Sequence, residues 1–177
     1  MNQTPTAKKP NAIKSILLTG FIAGTLDAAA ASINFYARTG NNPIRVWRFV
    51  ASGIFGKNAY ADADGLLMPA LGLLFHFCLA FSFTIFFFLI YPKIKLLAKN
   101  IFVTGILYGL LVWVVMNRIV VPLSNTAKLP PRSTPTILGV STQTILGMAF
   151  ILFCIGLPIA YLTARYYRKR GLIPAGS

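Results

Sequence analysis

The sequence predicts an all-α integral membrane protein, a four-helix bundle with a short interfacial amphipathic helix between its first and second spans. Three observations carry that expectation: a composition that is 56% hydrophobic and only 11% charged, four apolar runs of bilayer length, and basic residues gathered in the stretches between them. A soluble domain holds about one quarter charged residues, so this chain has too little polar surface to stay dissolved. About 20 residues rising about 1.5 Å each cover a hydrocarbon core of about 30 Å. Backbone groups in oil must satisfy one another locally, which coils such runs into helices.

Residues 1–15 form a basic tail containing Lys8, Lys9 and Lys14. The first apolar run extends from Ile16 to Tyr36. A cleavable signal peptide is the competing reading, since the run follows basic residues and contains the small-residue string Ala28 to Ser32. The Asp27 carboxylate just before that string and the three further runs favour a span. Next, Asn42 to Gly56 reads as a helix with Asn42 as N-cap and Pro43 at the first helical position. Arg45, Arg48 and Ser52 fall on one face of it and Trp47, Val50 and Ile54 on another, the pattern of a helix lying at a bilayer interface. Packing against the bundle as a cap is its alternative. The second and third runs are Leu66 to Tyr91 and Ile101 to Leu123. Ser124 to Pro135 holds three prolines and no periodicity, so it reads as an extended loop, with Ser133 or Thr134 capping the last helix. The fourth run, Ile137 to Tyr161, completes one domain over residues 16–163, and a basic tail over 164–177 follows.

Orientation follows from the basic residues. Ten lie in the two tails and the connection from Lys93 to Lys99, whereas six (Arg38, Arg45, Arg48, Lys57, Lys128 and Arg132) lie in the other two connections. Both ends are therefore expected in the cytoplasm. The formal net charge of +14 raises nucleic acid as a partner, but short basic clusters between apolar runs suit anionic lipid head groups instead. Cys78 and Cys154 sit inside apolar runs and read as small buried hydrophobes. One histidine and no Cys-x-x-Cys pair give no metal site of the usual ligand count. No cofactor is expected and no catalytic motif is present.

Each span carries small residues at helical spacing, where membrane helices approach closely. These are Gly20 and Gly24 in the first, Gly72 in the second, Gly105 and Gly109 in the third, and Gly139 and Gly147 in the fourth. On three helices a polar side chain lies in line with that stripe: His76, Asn117 and Gln143. Asp27 and Arg118 are the charged residues inside the runs, and Asp27 and His76 fall near mid-bilayer, at roughly 16 to 22 Å from the inner end. An ionisable group there is costly unless paired, neutral or hydrated. Asp27, His76, Asn117, Arg118 and Gln143 are thus the candidate lining of an outward-facing polar cavity for protons, an ion or a small solute. The bland alternative is polar glue, side chains hydrogen-bonding between helices.

The stretch Tyr91-Pro92-Lys93-Ile94-Lys95-Leu96, followed by Gly105, Gly109, Pro122-Leu123 and Pro130-Pro131, resembles the YagU-like family of small bacterial inner-membrane proteins. Gly24 to Ile33 and Leu74 to Phe77 look like uncharacterised four-helix membrane proteins of bacteria. The resemblance implies a bacterial cytoplasmic membrane and a link to acid tolerance, and it supplies no functional residues. Three functions therefore stand open. The leading one is proton, ion or solute handling. An assembly protein that binds membrane helices through its glycine faces is second, and a haem or redox module using His76 is third. A homo-oligomer is compatible with the same stripes.

Overall fold

Asn11 opens the first helix, α1 (Ala12–Thr39): its side-chain oxygen accepts the Ile13 N–H at 2.9 Å. Gly40 closes it at φ 63°, returning its N–H to the Tyr36 carbonyl at 2.8 Å. The computed structural model describes residues 11–61, 65–128, 136–137 and 140–172. At both ends α1 outruns the apolar stretch Ile16 to Tyr36, because a polar cap and a left-handed glycine set helix ends.

The second helix, α2 (Ile44–Phe55), is preceded by Asn42, whose side chain accepts the Ile44 N–H at 3.0 Å. Pro43 is the N-cap, so the helix starts one residue later than expected. Its inward face differs from the expected one. Arg48, Ala51 and Ser52 are buried, while Phe49 and Ile54 are exposed. Arg48 finds its partner in the chain, donating from Nη2 to the Gly65 carbonyl at 2.6 Å. α2 lies on α3 (Leu67–Ile90) so closely that a Cβ at Gly72 would fall on the Trp47 carbonyl oxygen. A satisfied hydrogen bond thus holds Arg48 inward, where amphipathicity alone would turn it to water, while Arg45 stays exposed.

Asn100 caps α4 (Ile101–Leu123), accepting the Val103 N–H at 3.1 Å. The last helix, α5, covers residues 142–169. It begins after the expected Ile137 and runs past the expected Tyr161, because Thr136–Ile137 pairs antiparallel with Val140–Ser141 and the tyrosine- and arginine-rich end stays helical. Both α4 and α5 contain a π turn, Met116–Val120 and Ile151–Gly156, and each turn ends one residue before a Val121-Pro122 or Leu157-Pro158 step. Proline has no N–H and its ring crowds the carbonyl four residues back. Widening the turn relieves that crowding, and the bond shifts by one residue: Val121 N–H reaches Met116 O, and Leu157 N–H reaches Leu152 O.

α1 packs against α3 on one side and α5 on the other, and α4 packs along α5. The core between them is Ala23, Phe87, Tyr108, Val112, Ile155, Ile159 and their neighbours. Tyr108 ties α4 to α3: its ring lies 4.4 Å from Phe87 and its hydroxyl donates to the Phe83 carbonyl at 2.6 Å. Glycines set the helix separations. Gly20 faces the Phe81 ring, Gly24 faces Phe77 and Ala80, and Gly105 and Gly109 lie against Leu157, Gly156 and Leu152. Among the described residues nothing lies within 4 Å of a Cβ built on Gly147, so that glycine spaces no described helix pair. Four helices, Ala12–Thr39, Leu67–Lys93, Ile101–Leu123 and Thr144–Lys169, are long and apolar enough to cross a membrane. Their outer faces expose large apolar side chains such as Phe21, Phe86, Leu89, Phe102, Leu107 and Phe153.

Candidate functional site

His76 lies on α3 opposite the α1 glycine pair, and the lack of a side chain at Gly24 lets it approach the α1 backbone. Its Nε2 is 2.9 Å from the Gly24 carbonyl oxygen. A carbonyl can only accept, so Nε2 carries a proton and, in the neutral ring, Nδ1 is left as the basic nitrogen. Trp47 of α2 meets the imidazole edge-on at 5.4 Å, and Phe77 does so at 5.5 Å. The ring is thus held by one hydrogen bond and two aromatic neighbours from three helices.

Asp27 follows Gly24 by one turn of α1. It is half-buried and within electrostatic range of His76 on α3 and of Cys154 in the π turn of α5. Two of the five sequence candidates therefore lie within electrostatic range of each other, with no direct hydrogen bond or ion pair between them among the described residues. The other three do not join them. Asn117 is exposed and donates to the Trp113 carbonyl of its own helix at 2.9 Å, and Arg118 is exposed in the π turn of α4. Neither makes a polar contact to Asp27 or His76 among the described residues. The Gln143 side chain lies outside the described residues, as do Gly139, the cap candidates Ser133 and Thr134, and Lys8 and Lys9 of the first tail.

Sequence reasoning missed three participants. The Gly24 carbonyl is a backbone group and carries no residue-type signal. Cys154 looks like any small apolar residue, yet from the π turn of α5 it lies within electrostatic range of Asp27. Trp47, assigned to the bilayer interface, is a wall of the imidazole site. The basic residues Arg45 and Arg48 also separate, the first exposed and the second buried on Gly65.

What this arrangement can do chemically is move a proton. A carboxyl and an imidazole sit within electrostatic range, the imidazole is fixed through one nitrogen, and the other is the basic one. With Nε2 already engaged, the nitrogen usually offered to a metal or haem is committed to the backbone. No family model, curated protein or solved structure matches the chain.

Proposed function

We propose that the chain is a multi-pass protein of a bacterial cytoplasmic membrane, with both ends cytoplasmic, and that its Asp27–His76 couple handles protons. The membrane reading is supported by four long apolar helices whose outer faces remain apolar, since only lipid or protein covers such a surface favourably. Orientation and compartment rest on the placement of basic residues and on the YagU-like resemblance.

The observation that carries the proton reading is the His76 Nε2 bond to Gly24 at 2.9 Å beside an ionisable Asp27. The exchange breaks the O–H bond of the Asp27 carboxyl and forms an N–H bond at His76 Nδ1, and it passes through a hydrogen-bonding relay, since the two side chains lie within electrostatic range without a direct bond. A carboxylate beside an imidazolium results, and the reverse step regenerates both neutral groups. A low-dielectric setting opposes charge separation, so the ion pair forms only because each charge stabilises the other, and the neutral pair stays close to it in energy. The assembly reading is weaker, because the glycine faces it would offer to partner helices are filled by Phe81, Phe77, Trp47, Leu157 and Leu152 of this chain.

His76→Gln separates proton handling from polar glue, since a glutamine amide can still donate to the Gly24 carbonyl but cannot titrate. In proteoliposomes containing a trapped pH dye, Asp27→Asn and His76→Gln should each lower proton flux on the order of tenfold or more, while both remain monodisperse in detergent. Parental flux in both variants would remove the proposal.

A further inference from the structure

A groove of about 580 Å³ runs along the first part of α1, beside Phe81 of α3. Leu17, Leu18, Phe21 and Phe81 line its length, and Asn11 and Lys14 line its end. Gly20 brings Phe81 to the groove: a Cβ there would fall on the Phe81 ring, so only a glycine lets that ring lean onto α1. Phe21, the lining residue of α1 furthest from Asn11, stacks on Phe77 at 5.8 Å and is held in place by it.

The polar end of this groove offers donors and no negative charge. Asn11 and Lys14 are three residues apart and so share a face of the helix. The Asn11 side-chain oxygen is committed to the Ile13 and Lys14 N–H groups at 2.9 and 3.5 Å, which leaves its amide nitrogen as a donor. Lys14 is exposed and lies far from Asp27, the single acidic side chain among the described residues. The first turn of α1 contains no acidic residue, so the positive end of the helix dipole there is uncompensated by the chain. Lys93, Lys99, Arg165, Lys169 and Arg170 are exposed at the same end of the bundle, because α1 runs antiparallel to α3, with Gly20 against Phe81 and Gly24 against Phe77.

Shape and charge together select the occupant. From Asn11 to Phe21 the groove follows α1 for about 15 Å, half of a hydrocarbon core of about 30 Å. That is the depth of one leaflet, apolar along its length and cationic at its outer edge. We propose that this groove holds one acyl chain of an anionic phospholipid whose phosphate is bound by the Lys14 ammonium and the Asn11 amide. A second copy of the chain fits less well, since it would bring further basic ends against Lys14 with no acidic side chain to meet it. The site rests on the membrane setting proposed above but not on the Asp27–His76 couple, so loss of proton flux and loss of lipid are separate results.

The test is native mass spectrometry of the full chain released from nonionic detergent, after exposure to phosphatidylglycerol, phosphatidylcholine or inorganic phosphate. The parent should retain phosphatidylglycerol in preference to phosphatidylcholine. Lys14→Gln, which removes the cation, and Leu17→Trp, which fills the groove, should each weaken that retention on the order of tenfold. Lys169→Gln, an equal loss of charge at an exposed position on α5, should change it little. Unchanged retention in either Lys14→Gln or Leu17→Trp overturns the site. Equal loss in Lys14→Gln and Lys169→Gln overturns it too, since the basic end as a whole would then be the attractant. Retention of inorganic phosphate without phosphatidylglycerol, or a lipid-free dimer that Leu17→Trp dissolves, overturns the lipid as the occupant.

Discussion

His76 commits one ring nitrogen to the Gly24 carbonyl at 2.9 Å, and that bond decides which nitrogen can exchange a proton. Because the chain contains a single histidine, its ring can be observed without assignment. Nitrogen NMR of the protein in its neutral-histidine state should show a protonated Nε2 and an unprotonated Nδ1; the opposite tautomer would contradict the geometry of the site. Asp27 and His76 were legible from sequence because ionisable side chains stand out in apolar runs. Arg118 stood out by the same rule and lies elsewhere. A long guanidinium side chain near a helix end can reach outward to a polar boundary, and nothing in composition reveals that it does so.

At the scale of the element, the two π turns are consequences of proline chemistry, and one of them builds an interface. Within Ile151–Gly156 the widened backbone carries Cys154 near Asp27 and sets Gly156 against α4. A Cβ at Gly156 would fall on the Gly105 carbonyl and 2.8 Å from the Gly109 Cα. Backbone cannot yield as a side chain does, so Gly156→Ala should destabilise the protein by about 1–3 kcal/mol. Gly147→Ala meets nothing within 4 Å among the described residues and should be neutral or stabilising by up to about 1 kcal/mol, since alanine loses less entropy in a helix. Thermal unfolding of the two variants in one detergent measures the contrast, and equal losses would contradict the packing described. The Gly105 and Gly109 spacing was readable as a close-approach face. Their partner Gly156 was not, because its register depends on an extra residue in the turn.

For the whole molecule, large apolar side chains cover the outer faces as well as filling the core, whereas a water-soluble bundle turns polar side chains outward. If the proposed setting holds, the protein stays with the membrane fraction after alkaline carbonate washing and leaves it only with detergent. Reporter fusions at both ends should also be active on the cytoplasmic side. A fraction released by carbonate alone, or ends reporting on opposite sides, would contradict the proposed topology. Within the bundle, α2 is an integral wall, since its Trp47 touches His76 and its Arg48 reaches Gly65.

Sequence by itself determined that four helices form and roughly where, because the length of an apolar run and the need to satisfy backbone groups are local properties. It also marked Asp27 and His76 as residues requiring an explanation. Tertiary structure alone decided which polar residues approach one another, which residues of α2 turn inward, and that a backbone carbonyl holds the imidazole. Those outcomes depend on helix rotation and on close approach at particular glycines. A rotation of one residue, about 100°, redirects every side chain beyond it without changing anything that composition or periodicity can register.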